Sequence, residues 1–361
     1  MHIRGTWVRG GTSKCWVFET QALEQAGVTA DDLLPRIYGS PDHRQLDGVG
    51  GGTSTTSKAM LLTPAEEEGV DVVFTFAQVG IDEAKVDWGS NCGNCSTTAG
   101  LYAVENGWVG LGEEFTYVRT YNTNSNQLIV QRIATPGGQL PDEPKAMMPG
   151  TVYPGHEVGL GFLDPMGKTT GTLLPAGESS ELTVGTRSYS VTMVDAGAPA
   201  VLLSSETLSL DQVPHAKWAE EVLPMLPELD EVRRRAALVM GMVETTQEAE
   251  RAVPKLGIVG PSSAEDADLE ILMLSMGKPH PAMPITGSVA LTMAAFTPGT
   301  HPFEYAGLGA TSGNFRLRTP AGVIDTFLER SEKGEVIVGV DRTARTLATA
   351  TLYLPDAALA S

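Results

Sequence analysis

Cysteine is scarce in this sequence: 361 residues hold three, Cys15, Cys92 and Cys95. Three thiols exclude a disulfide framework, and a reducing compartment suits them. Positive charge is scarce too. Only 25 Lys and Arg face 44 Asp and Glu, a formal net charge of −19. No basic stripe exists to neutralise phosphates, which excludes nucleic acid as a partner and an anionic membrane surface with it. Long apolar runs are missing: nothing approaches the roughly 18 residues that suggest a membrane span. The opening MHIRGTWVRGG is polar and Gly-rich, unlike a basic segment followed by an apolar one. A soluble cytoplasmic protein is the expectation. The six histidines, at 2, 43, 156, 215, 280 and 301, show no paired spacing. A zinc site normally needs four ligands, so no metal is expected.

What the chain has is turns and short apolar stretches. Gly 40 and Pro 23 accompany 42% hydrophobic and 19% charged residues, a globular composition long enough for two domains. Residues 15–19, 71–79, 115–121, 127–133, 181–195, 269–275 and 335–341 read as strands. Helices are expected over 21–28, 57–63, 95–107, 218–243 (broken early by prolines) and 288–296. Two of these share a setting. SNCGN precedes 95–107 and PITG precedes 288–296, each a polar Gly-containing turn after a strand, which suggests two similar halves. The Pro/Gly/Ser-rich GTLLPAGESSE at 171–181 marks a boundary, giving domains 1–180 and 181–361, with the last strand a candidate to return to the first domain.

The CxxC of NCGNC at 91–95 has three readings: a tight turn, a redox pair, or a thiol beside an anion cradle. Asn91, Cys92, Gly93 and Asn94 precede a helix, where free amides and the helix dipole favour a carboxylate and lower a thiol pKa. QLDGVGGGTSTTSK at 45–58 has the glycine density of a phosphate loop without its pattern, since a serine directly precedes the lysine. It leaves Gly52, hydroxyls from Thr53 and Ser54 onward, and Lys58, which burial could turn into a base. In the second half, Thr286, Gly287 and Ser288 open another apolar helix with further amides for an anion. Asp195 looks like a strand-ending turn residue and His280 a hydrogen-bond partner. With so negative a chain, an anionic substrate must be drawn in by a local pocket of amides and a few cations.

Taken together, VRGGTSK (8–14), GSPDHRQLDGVGGGTSTTSK (39–58), FAQV (76–79), NCGN (91–94), LLPAGES (173–179), DAGAP (195–199), SMGKPH (275–280) and PITGSVA (284–290) resemble the PrpF-like isomerases. That family holds 4-oxalomesaconate tautomerases, methylaconitate isomerases and methylitaconate isomerases, within the diaminopimelate-epimerase-like superfamily. The resemblance implies an α+β fold of two similar domains, each a barrel-like sheet around a central helix, with the active site in the cleft between them. It implies cofactor-independent proton transfer. Its lysine falls on Lys58, its cysteine on Cys92, and an acidic residue on Asp87. A facing second cysteine, found in racemases of the superfamily, is replaced here by Thr286-Gly287-Ser288, which argues for isomerisation over epimerisation. Three positions depart from the family pattern: Cys15, Ala198 and Cys95. Cys95 is expected to be a small buried side chain with no part in the chemistry.

The expected reaction is a 1,3-proton shift in a small unsaturated di- or tricarboxylate. Neutral Lys58 takes the allylic proton, and Cys92 or the returning Lys58 delivers it. Thr12, Ser13, Gly52, Thr53, Ser54, Asn91, Gly93, Asn94, Thr286, Gly287 and Ser288 hold the carboxylates and the dienolate. An epimerase of the same fold, an accessory protein to an aconitase-like dehydratase, and thiol redox at Cys92 and Cys95 stay open, as does a homodimer.

Overall fold

The computed structural model describes residues 2–89, 92–249, 253–275, 277–331 and 334–354. The chain forms two compact units, one joining Met1–Gly161 to Arg342–Ser361 and the other Phe162–Asp341. The division therefore falls at 161/162 rather than at the expected 180/181. Turn-rich composition at 171–181 marks a surface turn inside the second unit, where Asp195 N–H donates to Leu173 O and Gly177 N–H to Leu174 O.

In chain order the first unit contains β1 (His2–Gly10), β2 (Ser13–Glu19), α1 (Thr20–Ala26), α2 (Ala30–Tyr38), β3 (Lys58–Pro64), β4 (Val72–Val79), β5 (Val86–Asp87), α3 (Gly93–Glu105), β6 (Phe115–Asn122) and β7 (Gln127–Ala134). Strand β8 (His156–Leu163) leads into the second unit. There follow β9 (Ser180–Val184), β10 (Arg187–Ala196), β11 (Ala198–Ser204), α4 (His215–Glu221), α5 (Leu226–Val239), β12 (Lys255–Pro261), β13 (Leu269–Ser275), β14 (Lys278–Pro279), α6 (Ile285–Ala295), α7 (His301–Ala306), β15 (Gly313–Thr319) and β16 (Gly322–Arg330). Strand β17 (Val336–Tyr353) returns the chain to the first unit. The fold is α+β. No helix among the described residues is long and apolar enough to cross a membrane.

Both units use one strand grammar. In the first, β1–β2 is antiparallel, β2–β3 parallel, β3–β4 antiparallel, β4–β6 parallel and β6–β7 antiparallel. In the second, β10–β11, β11–β12, β12–β13, β13–β15 and β15–β16 repeat that order of senses. In each, a two-residue strand (β5 or β14) pairs back on its predecessor just before the helix α3 or α6. Helix α3 packs against β1, β2, β3, β4, β6 and β7, and α6 against β10, β11 and β16. Neither helix has one polar face, because sheet surrounds it. Cys95 through Val104 are all buried, as are Gly287 through Ala295.

Three expectations change. Residues 57–63 are not a helix but strand β3, paired parallel with β2 and antiparallel with β4. A short apolar run does not distinguish a buried strand from a buried helix, and pairing on both edges overrides the helix propensity of Ala, Met and Leu. Residues 181–195 are two strands, β9 and β10, joined at Gly185-Thr186. The stretch 335–341 is the start of an 18-residue strand. The polar start, left without an assignment, is strand β1, with Ile3, Gly5, Thr6, Val8 and Gly10 buried.

Candidate active site

Helix α3 begins at Gly93 with Cys92 as its N-cap, in extended conformation at φ −134° and ψ 97°. Its first turn is seated on the β1–β2 hairpin. A Cβ on Gly10 would lie 2.3 Å from Asn94 O, and one on Gly11, at φ +52°, 2.1 Å from Asn94 Oδ1. Only glycine lets the hairpin approach this closely. Asn94 Nδ2 then donates to Thr12 Oγ1 at 3.1 Å. The RGGTS stretch and the NCGN stretch, some 80 residues apart in sequence, are one structure.

Cys92 is half-buried and its thiol pKa is lowered to about 6. The largest cause is the Cys95 thiol donating to its sulfur. Burial opposes, while the Lys58 charge, the Cys95 N–H and the Ser13 hydroxyl all favour the thiolate. Cys95, at N3 of α3, is fully buried, and its own pKa is pushed well up by that burial and by hydrogen bonds to Cys15 and Cys92. N-cap and N3 side chains meet for the same reason they do in a capping box. Cys95 is thus a small buried side chain as expected, but it is not idle: it is the principal donor to Cys92.

Lys58 is the first residue of β3 and is 8% exposed. Its Nζ donates to Gln78 Oε1 at 2.6 Å and lies 4.9 Å from the centre of the Phe76 ring. Gln78 Nε2 in turn donates to Ser57 O at 2.9 Å. Ser57 Oγ donates to Gln45 Oε1 at 2.7 Å, and Gly52 N–H donates to the same oxygen at 2.9 Å. Gln45 is 1% exposed and folds the 45–57 loop down onto the lysine's strand. Gln45, Gln78 and Phe76 lie in the stretches 45–58 and 76–79 singled out in the sequence, but were given no role there. A glutamine in an apolar strand is a weak signal until register places it beside a lysine.

Asp87 continues this row. Lys58 pairs with Gln78 across β3 and β4, and Gln78 with Asp87 across β4 and β5, so all three share one sheet face. The Asp87 side chain is exposed and accepts from Gly89 N–H at 2.8 Å. Ser13 is buried at the start of β2 and Thr12 is exposed in the turn before it. Thr53 and Ser54 are exposed, with Thr53 Oγ1 2.7 Å from Thr56 Oγ1. Asn91 lies outside the described residues. The amides of Gly93 and Asn94 occupy N1 and N2 of α3, where no helical partner exists.

Thr286, Gly287 and Ser288 belong to the second unit, in the first turn of α6. The helix starts at Ile285, three residues earlier than expected, so Ser288 sits at N4. Its N–H donates to Pro284 O at 2.9 Å and its hydroxyl to Ile285 O at 2.7 Å. Ser288 is therefore no free donor, and the open amides of that turn are those of Ile285, Thr286 and Gly287. Asp195 is 1% exposed and tethers a turn: Thr169 N–H, Thr170 N–H and Thr170 Oγ1 donate to its Oδ2 at 2.8, 2.6 and 3.0 Å. His280 Nδ1 accepts from Ala282 N–H at 3.0 Å, the hydrogen-bonding part expected of it. Among the described residues no three His, Cys, Asp or Glu side chains converge to hold a metal ion.

A half-buried thiolate beside a buried lysine, at a helix N-terminus with free amides, can move a proton at carbon next to a carboxylate. Comparison with known proteins agrees. Residues 1–355 match the PrpF protein family. The chain belongs to the PrpF family. Among PrpF relatives, YraM of Bacillus subtilis is 35% identical over 96% of each chain. A 2-methyl-aconitate isomerase of Shewanella oneidensis is 31% identical, over 98% of this chain and 97% of the relative. The crystal structure of a methylitaconate-delta-isomerase superposes with a TM-score of 0.86 at 27% identity, covering 100% of this chain and 99% of that one.

Proposed function

We propose that this protein is an isomerase that moves a carbon–carbon double bond in a small unsaturated di- or tricarboxylate, by a 1,3-proton shift between its own side chains. The observation that carries the reading is the Cys92 thiol, held down to about 6 by Cys95, Lys58 and Ser13 at the mouth of α3. The family supports it, as do relatives that isomerise methylaconitate and methylitaconate. The finer fold reading, two diaminopimelate-epimerase-like halves, draws support from the repeated strand order around α3 and α6.

At neutral pH a thiol of this kind is mostly thiolate. That supports assigning the base to Cys92 and the acid to Lys58, the reverse of the roles drawn from sequence. Cys92 removes a proton from the allylic carbon next to a carboxylate. The electron pair moves into a dienolate, and Lys58 returns a proton at the other end of the allyl unit. Free amides of Gly93 and Asn94, with the Ser13 hydroxyl, stabilise the growing negative charge. Preorganised donors of this kind are worth about 3–4 kcal/mol each in a transition state. Thr12 braces Asn94, and Asp87 closes the Lys58–Gln78 row.

The test is ultraviolet absorbance of a panel of unsaturated tricarboxylates in deuterium oxide. Double-bond migration with deuterium at the new allylic carbon is expected. Lys58→Met and Cys92→Ala are each expected to lower kcat by about 10²–10⁴-fold. Exchange of a chiral proton without double-bond migration would move the assignment to an epimerase. Full activity in Cys92→Ala would remove the thiol from the reaction.

A further inference from the structure

The β1–β2 hairpin has a second face that the proposed reaction leaves unused. Gly10 packs on Asn94 and Thr97 of α3, and Cys15 Sγ lies 3.8 Å from Thr98 Oγ1. Side chains alternate along a strand, so Arg9 and Lys14 take the opposite face. Arg9 pairs with Lys14 across β1 and β2, and with Arg345 across β1 and β17. Three cations thus stand in one row on neighbouring strands.

Like charges directly opposite one another destabilise a sheet. Relief is at hand in a chain of net charge −19, yet it is not used. Arg9 Nη1 donates to Gly11 O, Thr343 O and Thr343 Oγ1 at 3.0, 3.1 and 2.9 Å. Lys14 Nζ sits 5.1 Å above the Trp7 ring, and the Arg345 guanidinium 5.8 Å from the Tyr153 ring. No described carboxylate pairs with any of the three. Arg9 Nη2 is buried with no hydrogen-bond partner among the described residues. Burial and the neighbouring Arg345 both hold the Arg9 pKa below its ordinary value.

A cavity of about 290 Å³ opens over this row, with Arg9, Lys14 and Arg345 in its lining, hydroxyls from Thr12 and Thr56, and the Tyr153 ring as a wall. We propose that this cavity binds a small polycarboxylate. Strands lie about 4.8 Å apart, so three cations on adjacent strands span about 10 Å. That spacing suits carboxylates spread along a carbon skeleton better than one compact phosphate, and the tyrosine ring gives the skeleton an apolar surface. The three cations lie on the face of the sheet opposite Cys95 and the body of α3, while the rim of the cavity includes Thr12 and Ser13 of the candidate active site.

The experiment is calorimetric titration of the full chain with citrate, a saturated tricarboxylate with no double bond to move. One citrate per chain is expected. Arg345→Ala and Lys14→Met should each weaken it at least tenfold, as loss of a charge-assisted hydrogen bond does. Arg9 is left in place, because its Nη1 braces the hairpin. Near-ultraviolet circular dichroism matching the wild type confirms that each variant is folded. Alkylating Cys92 with iodoacetamide should leave citrate binding intact. Binding abolished by that alkylation and untouched by Arg345→Ala would overturn the proposal, placing the anion at α3 instead. Equal affinity for inorganic phosphate would overturn the polycarboxylate class. Absence of citrate binding, with Arg345→Ala converting a dimer to monomer in sedimentation, would assign the row to a second copy of the chain.

Discussion

Cys92 illustrates how three neighbours set one residue's chemistry. A helix N-terminus alone favours a thiolate, but here the Cys95 thiol contributes most, ahead of the Lys58 charge and the Ser13 hydroxyl. Iodoacetamide alkylation of Cys92 against pH should therefore show a midpoint near 6. In Cys95→Ala the largest stabiliser of the thiolate is gone, so the midpoint should climb and the rate at pH 7 fall several-fold. If Cys92 is the base, kcat/KM should rise with pH through the same midpoint and then level, because the proton must leave before the thiolate can act. Gln78 is a positioning residue, acting through Lys58. Its amide offers Nζ a neutral acceptor at 2.6 Å. Gln78→Glu would place a carboxylate there, cancel the lysine's field at Cys92 and add a negative charge, both of which raise the thiol pKa. The alkylation midpoint should move above that of the wild type, whereas a role confined to packing would leave it in place.

At the scale of elements, the site rests on how α3 is held. The hairpin turn meets its first turn through Gly10 and Gly11. Gly10→Ala is expected to cost about 1–3 kcal/mol in denaturant unfolding, because its Cβ would meet a backbone oxygen that cannot step aside. Further along, the fully buried Gln131 reaches both ends of one helical rung: Gly100 N–H donates to its Oε1 at 3.0 Å, and its Nε2 donates to Ser96 O at 2.9 Å. Gln131→Leu removes a buried partner from both and should destabilise the protein by about 1–3 kcal/mol. Strand β3 shows why this level was harder to read. SKAMLLT has the composition of a helix, and only its two paired neighbours make it a strand. The outcome matters for function, since a strand start puts Lys58 opposite Gln78.

The whole molecule repeats one order of strand senses in two units, each with its own buried helix. A cavity made in one core should therefore stay local. Leu291 is fully buried on α6. Leu291→Ala should cost about 2–5 kcal/mol, seen as a lower thermal midpoint, while leaving the Cys92 alkylation midpoint of the folded protein unchanged. A shift in that midpoint would show that the α6 core bears on the thiol. Net charge also belongs at this scale. The chain as a whole repels anions, so whatever anion it binds is attracted locally, by amides at α3 or by the cation row on β2, β1 and β17.

Much of this protein was written in the order of its residues. Apolar runs located β2, β4, β6, β7, β9, β10, β13 and the start of β17 but not β1, β8, β11, β12, β15 or β16. The two small apolar helices were placed to within a few residues, and the NCGN and TSK stretches named Cys92 and Lys58 without coordinates. These are short-range features, set by backbone freedom, periodicity and the chemistry of single side chains. Register was another matter. The Lys58–Gln78–Asp87 row and the Arg9 row depend on which residue stands opposite which. So does Cys95's hydrogen bond to Cys15. A shift of one residue in any strand turns every side chain to the other face, and no local propensity fixes that choice. Packing fixes it, and packing exists only once the chain has folded.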